Sequence, residues 1–331
     1  MNPKLKRSAQ SVLAAIVTAS RKSGVGRYIH NEIVNGAMDH TAEVHHDGIT
    51  LTLSIPNIIG DFRAKTFATK EPETLEWLDS MPRGSTLWDI GANVGLYSVY
   101  AAKRRQCRVY AFEPSVFNLE MLARNIFLNG LTDQICIVPI ALSDSLGASH
   151  MQMTTTEWGG AESSFGHNLF LDGNRLKETF RFQTIGLTMS DVVGKLGVAP
   201  PDFIKLDVDG IEPQILEAGA AILGSVKSVL VETNDDFPSE TGRITSALST
   251  AGLVLHQKRH SEAFENHPAY GRIYNQIWIR PQYNFNAGIC VNVYVILRNC
   301  VVSSDRCGSM NARLSETQML ALARPTHFCI L

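Results

Sequence analysis

Between residues 74 and 282, short apolar runs alternate with longer stretches in which apolar residues recur at helical spacing. The runs predict strands over 86–90, 108–112, 134–139, 203–206, 228–232, 253–257 and 274–279. The spaced stretches predict helices over 75–79, 94–104, 116–128, 188–196, 212–223 and 239–251. Strands and helices in this rhythm imply an α/β domain built on a doubly wound, seven-stranded, mostly parallel sheet of Rossmann-like form. The alternation pauses over 142–183, where Met151, Met153, Phe165 and Phe182 stand among Thr, Gly, Ser and His. Short antiparallel strands and a loop are expected there, an insertion at the carboxyl ends of parallel strands, where ligands bind.

Outside this domain the pattern changes. Residues 1–73 combine a helical start with an alternating strand over 48–56 and read as an N-terminal cap. Residues 283–331 have no clear period and read as a C-terminal extension. Within the cap, Lys4, Lys6 and Arg7 precede the apolar run 12–17, and Arg21, Lys22 and Arg27 follow it. The run is too short to span a bilayer, so no transmembrane segment is expected. An amphipathic helix fits, lying on the domain or touching a membrane surface peripherally, and packing on the domain is the favoured reading.

Composition narrows the classes further. The 331 residues, 44% hydrophobic and 19% charged, can bury one large core with accessory segments. A net charge of -2 supplies no general field for a polyanion, so nucleic acid is not an expected partner. Of the six cysteines, Cys107 and Cys136 fall in or beside strands and read as buried free thiols, which suits a reducing, cytoplasmic setting. Cys290, Cys300, Cys307 and Cys329 crowd the tail at irregular spacing without a C-x-x-C, so a poorly ordered extension is expected rather than a zinc site or disulfides.

Chemistry concentrates at three strand ends. The first, Asp89-Ile90-Gly91-Ala92-Asn93-Val94-Gly95, turns from a strand into a helix with glycines spaced neither as G-x-G-x-x-G nor as a P-loop with its lysine. Asp89 offers a carboxylate, and the open turn leaves room for a phosphate-free ligand such as an amino-acid sulfonium. At the second, Phe112-Glu113-Pro114, Glu113 lies about twenty residues beyond the turn, where an acid can accept hydrogen bonds from both ribose hydroxyls. Pro114 then starts a helix, and Glu113 could instead serve only to complement that helix's N-terminus. The third strand end crowds Asp207, Asp209 and Glu212 together, which is unfavourable unless a cation, a donor or a proton sits among them. Helix capping would account for one of these three carboxylates.

Together the segments resemble the FkbM family of S-adenosylmethionine-dependent methyltransferases, whose members show D-I-G-A-N-x-G-x-Y-S, F-E-P and I-K-x-D-V-E-G-x-E in order. The likeness covers roughly residues 74–280, with Asp209 standing where the family more often has glutamate. It implies the class I methyltransferase fold and S-adenosyl-L-methionine as cofactor. On that basis Asp89, Gly91, Asn93 and Gly95 would enclose the methionine part, Glu113 with Pro114 the ribose, and Ala141, Leu142 and Ser143 the adenine. Tyr97 and Ser98 are further candidate contacts, although Tyr97 could simply pack its helix. Asp207 would reach toward the donor or the incoming acceptor.

The resemblance implies an O-methyltransferase acting on a hydroxyl of a sugar, glycan or secondary metabolite. Such a hydroxyl must lose a proton, to a carboxylate or histidine or with help from a metal. Asp207, Asp209, Glu212 and His167 are the candidate bases, and a divalent metal stays open. His45, His46, His256, His260 and His267 read as surface or substrate-loop residues, because the single H-x-x-x-H pair, His256 and His260, spans a strand end and lacks the glutamate of a zinc protease. Residues 232–236, which begin with Glu232, could bind substrate hydroxyls. A nicotinamide-dependent oxidoreductase is disfavoured by the glycine spacing and the lack of a Tyr-x-x-x-Lys pair. A non-catalytic scaffold would need none of Asp89, Glu113 and Asp207.

Overall fold

The computed structural model describes residues 3–166, 178–262, 265, 267 and 270–283; His167 and the four tail cysteines lie outside them. Helices α1 (Pro3–Ser20) and α2 (Gly24–Met38) lead into a hairpin of β1 (Thr41–His46) and β2 (Ile49–Ser54). Its two-residue turn places Asp47 and Gly48 at φ 44° and 76°, the primed geometry that matches strand twist. Helices α3 (Ile58–Lys70) and α4 (Pro72–Asp79) then precede the main sheet.

Strands appear close to where the apolar runs predict them: β3 (Thr86–Ile90), β4 (Arg108–Phe112), β5 (Ile135–Val138), β10 (Phe203–Leu206), β11 (Ser228–Asn234), β12 (Val254–Arg259) and β13 (Ile273–Ile279). Their order across the sheet is β12-β13-β11-β10-β3-β4-β5, with β13 antiparallel to both of its neighbours and the pairs from β11 to β5 all parallel. This is the seven-stranded, mostly parallel, Rossmann-like sheet. Strand order reverses between β3 and β10, so the crevice at their carboxyl ends is the place where such a sheet binds ligands.

Both faces of the sheet are covered, which is why its strands are nearly continuous in apolar residues. One core holds Trp88, Ile90, Phe112, Ile204, Leu206 and Val231, facing α7 (Met189–Leu196), α8 (Glu212–Ala218), α9 (Ala220–Leu223) and α10 (Pro238–Thr250). The opposite core holds Leu87, Val109, Ala111, Phe203 and Leu230 against α5 (Leu96–Arg105), α6 (Val116–Leu128) and the N-terminal Leu51, Leu53, Phe67, Trp77 and Leu78. Period-two alternation therefore assigns Asp89, Lys205 and Glu232 to this second face, since each follows a residue of the first face along its strand. The insertion forms a second sheet in the order β6-β9-β7-β8, from Ala141–Leu142, Phe180–Leu187, Gly147–Met153 and Ser163–Phe165 respectively.

Several expectations need correction. The helix expected over 94–104 starts only at Leu96, because Gly95 caps it at φ 78° and the preceding residues stay in the turn. The helix expected over 212–223 divides into α8 and α9 at Gly219, where a Cβ would lie 2.5 Å from Met189 Sδ. Cys136 is exposed rather than buried, because β5 is an edge strand and alternation turns this residue outward. The N-terminal helix does not lie on the domain through its apolar run: Val12, Leu13 and Ile16 are each about 60% exposed. A second helix, α2, joins it instead, and Gly26 allows the close approach, since its Cβ would overlap the Ser20 carbonyl. Among the described residues no helix is long and apolar enough to cross a membrane.

Candidate active site

The glycine turn after β3 is held open by backbone bonds to β4, with the Gly91 and Ala92 N–H groups donating to the Phe112 carbonyl at 3.0 and 2.9 Å. Gly91 has φ 81°, and a Cβ there would sit 1.8 Å from the Asp207 carbonyl oxygen. Only glycine fits, for conformation and for space. Asn93 is also left-handed, at φ 52°. Gly95 has a different reason: its Cβ would meet Leu122 Cδ1 at 2.3 Å, so it seats α5 against α6 and does not line the cleft.

The cleft encloses about 530 Å³ including its open mouth. Gly91, Asn93, Glu113, Pro114 and Asn118 line one part, and Asp207, Val208 and Asp209 another. Ile140, Ala141, Leu142, Met151 and Phe165 supply an apolar wall suited to a planar base. Ser143 is not part of that wall; its N–H donates to the Leu187 carbonyl at 2.9 Å and its hydroxyl to Asp144.

Glu113 is buried and accepts two backbone N–H groups, from Asn93 at 2.8 Å and from Ser115 at 2.7 Å. Ser115 is the N-cap of α6, so Glu113 complements that helix while also facing the cleft. Burial pushes its carboxyl up to about 7 despite those donors. Each oxygen keeps a second lone pair available to a ribose hydroxyl. Asp89 stands one layer behind the lining: its Oδ2 accepts the Ser98 hydroxyl at 2.6 Å, and its Oδ1 has no hydrogen-bond partner among the described residues. Ser98 thus orients Asp89 and is itself fully buried. Asn93 Oδ1 and Asn118 Oδ1, both on cleft-lining residues and without a hydrogen-bond partner among the described residues, and the Cβ-free turn fit a ligand carrying an amino group and ribose hydroxyls, as S-adenosylmethionine does.

The carboxylate cluster differs from the one expected. Glu212 is buried, and its two oxygens accept the Val208 and Gly210 N–H groups at 2.9 and 3.0 Å, so it fixes the loop instead of facing the cleft. Its place is taken by Glu232 from β11, whose carboxylate comes within 4.8 Å of those of Asp207 and Asp209. That spacing would let the three share a proton or a divalent cation. Burial, then Asp207, raises Asp209 to about 6, and burial with Asp207 and Asp209 raises Glu232 well above the ordinary range. Asp209 sits at φ 60° and accepts the Ser163 N–H at 3.2 Å.

Lys205 organises this corner. It is buried beside Asp89 in the sheet register, and its ammonium lies 2.8 Å from Asp207 Oδ2 and 5.2 Å from the centre of the Tyr97 ring. Burial alone would lower its pKa, but Asp207, Asp89 and Glu71 outweigh that and raise it. Burial likewise opposes ionisation of Asp207, yet Lys205, Lys70 and Arg63 hold it below the usual carboxylate range. Tyr97 packs against Phe67 with ring centres 6.3 Å apart and does not line the cleft.

Sequence reasoning left Arg63, Lys70, Glu71 and Lys205 out of the site. The first three lie on the N-terminal cap far from any motif, whereas Lys205 stood within one and could have been found as a charge in a fully buried strand. The cap also grips the insertion: Arg63 donates to the Gly159 carbonyl through Nε and Nη2 at 3.0 and 2.6 Å, and Asn57 donates to the Trp158 carbonyl at 2.9 Å. Asn93 and Asn118 both donate to the Gly160 carbonyl, at 2.9 and 3.2 Å. The 154–162 segment is thereby tied to the glycine turn and to α6.

A family model described as the methyltransferase FkbM domain matches residues 89–255. Hexuronic acid methyltransferase AglP of Haloferax volcanii is 25% identical over 181 residues, covering 53% of this chain and 66% of AglP. AMB antimetabolite synthetase AmbE of Pseudomonas aeruginosa is 26% identical over 202 residues, covering 51% of this chain and 9% of AmbE. The chain spans less than two thirds of the length of either relative. Among solved structures, methyltransferase FkbM from Methylobacillus flagellatus is 13% identical with a TM-score of 0.41, covering 60% of this chain and 44% of that one.

Proposed function

This chain belongs to the FkbM methyltransferase family, and from that premise we propose that it moves a methyl group from S-adenosylmethionine to a hydroxyl oxygen of a sugar or glycan. The observation that carries the reading is the meeting of two half-sites at one sheet crevice. Glu113 with the glycine turn forms the donor half, and Asp207, Asp209 and Glu232 form an acceptor half.

The cofactor, when bound, supplies a methyl group already activated by a positive sulfur. The residues of this chain then need to align the acceptor, exclude water and take one proton. Asp209 is our choice for the base: it lines the cleft and its carboxyl titrates at about 6, near the working pH a general base requires. Asp207 is pinned by Lys205 and orients the acceptor as a fixed acceptor of hydrogen bonds. Asp209 would take up the proton that the acceptor hydroxyl gives up on methylation.

Among sugar acceptors we favour a hexuronic acid. Arg63 and Lys70 carry positive charge near Asp207, the first bonded to the Gly159 carbonyl and the second paired with Glu71 at 2.9 Å. The printed name of the Haloferax relative supports the same substrate class. Calorimetric titration with S-adenosylmethionine and with NAD is the first test, and binding of NAD alone would sink the reading. Incubation with labelled S-adenosylmethionine and uronic-acid glycans should then give an alkali-stable ether. An alkali-labile label would mean transfer to a carboxylate instead. Activity that survives exhaustive chelation would assign the acidic cluster to proton transfer without a cation.

A further inference from the structure

We propose that the α1–α2 hairpin docks the protein onto an anionic lipid surface. Val12, Leu13 and Ile16 on α1, and Val25, Ile29 and Ile33 on α2, recur at helical spacing and are between 50% and 72% exposed. Tyr28, an aromatic with a polar tip suited to a headgroup region, is exposed beside them. An apolar stripe this exposed along two joined helices marks an interaction surface.

Charge selects the occupant. Residues 1–38, which span both helices, contain Lys4, Lys6, Arg7, Arg21, Lys22 and Arg27 against one acidic residue, Glu32, although the whole chain has 30 basic and 32 acidic residues. Arg21, Lys22 and Arg27 are exposed around the turn between the helices. A strongly net-basic segment with an apolar stripe matches a surface of anionic headgroups over acyl chains. A second copy of the chain would bring an equally basic segment to the same contact, and like charges oppose that pairing. The hairpin turn is itself a fixed structure: Ser23 caps α2 by accepting the Gly26 N–H at 2.9 Å, and the Ser20 hydroxyl meets His30 at 2.6 Å. The two stripes are thus joined by an ordered turn.

The test is sedimentation of the full chain with vesicles of phosphatidylcholine plus phosphatidylglycerol, and with phosphatidylcholine alone. Binding is expected to the anionic vesicles only, to weaken as salt is added, and to fall at least about 10-fold in Leu13→Asp/Ile16→Asp and in Arg21→Glu/Lys22→Glu. Leu13→Ala/Ile16→Ala keeps good helix formers and should weaken binding in the same direction, which separates lost contact from lost helix. The unfolding midpoint and the affinity for S-adenosylmethionine should stay unchanged in all three variants. Absence of binding, or equal binding to neutral vesicles, overturns the proposal. So does a concentration-dependent dimer that the same apolar substitutions disperse while vesicles fail to bind.

Discussion

Replacing Lys205 by methionine removes the cation that Asp207 and the buried Asp89 share while nearly keeping side-chain volume and packing within strand β10. The Lys205 side chain is 3% exposed and that of its partner Asp207 26% exposed, with 2.8 Å between their charged atoms. Orphaning one member of a buried pair costs about 3–5 kcal/mol, and the remaining exposure of Asp207 places this case near about 3 kcal/mol. The loss should be read by urea unfolding of both proteins across pH. With Lys205 present, Asp207 has a folded pKa below its unfolded value, so its contribution is complete at neutral pH and disappears only as the pH falls through the folded value. Without Lys205, only Lys70 and Arg63 still oppose burial, and the folded pKa is expected to rise above the unfolded one. The favourable state is then the protonated one, present at low pH and lost as the pH rises through the new folded value. The stability gap between the two proteins should therefore narrow from about pH 7 to about pH 5. Other raised carboxyls such as Glu113 and Glu212 are common to both proteins and largely cancel in the difference. Adding Asp207→Asn should recover part of the loss. A gap under about 1 kcal/mol at neutral pH, or one that widens on acidification, would refute this account of Lys205.

Four other outcomes are expected. Glu113→Gln should weaken S-adenosylmethionine binding by about 10- to 100-fold in calorimetry, as loss of charged hydrogen bonds does; in the unaltered protein, whose Glu113 carboxyl sits at about 7, affinity should fall as the pH drops through that value. Asp209→Asn should lower kcat by about 100-fold or more while leaving cofactor affinity intact, and the rate of the unaltered enzyme should decline as the pH falls through about 6, where Asp209 takes up a proton. Gly91→Ala should abolish cofactor binding and lower stability by about 1–3 kcal/mol in urea unfolding, since the new Cβ meets backbone and not a flexible side chain. Glu212→Ala should cost about 1–3 kcal/mol of stability by orphaning the Val208 and Gly210 N–H groups; a fall in kcat with no change in stability would return Glu212 to the catalytic set.

Local pattern alone determined the sheet, because apolar runs and helical spacing report burial residue by residue and do not depend on distant partners. The glycine turn and Glu113 were legible for a similar reason: a backbone that must turn left-handed at a strand end needs glycine, and the acid follows one βα unit later. Tertiary structure alone decided which carboxylates meet. Glu212 is three residues from Asp209 yet turns into its own loop, while Glu232 arrives from the neighbouring strand because parallel register sets β10 and β11 side by side. Arg63, Lys70 and Glu71 reach the site only because the N-terminal segment packs on the same face of the sheet as Lys205. Ser98 and Gly95, read as cofactor contacts, turn out to hold Asp89 and to seat a helix. Spacing along the chain constrains neighbours within one turn or one strand; charges brought together by sheet order are joined by the fold, and no motif spans them.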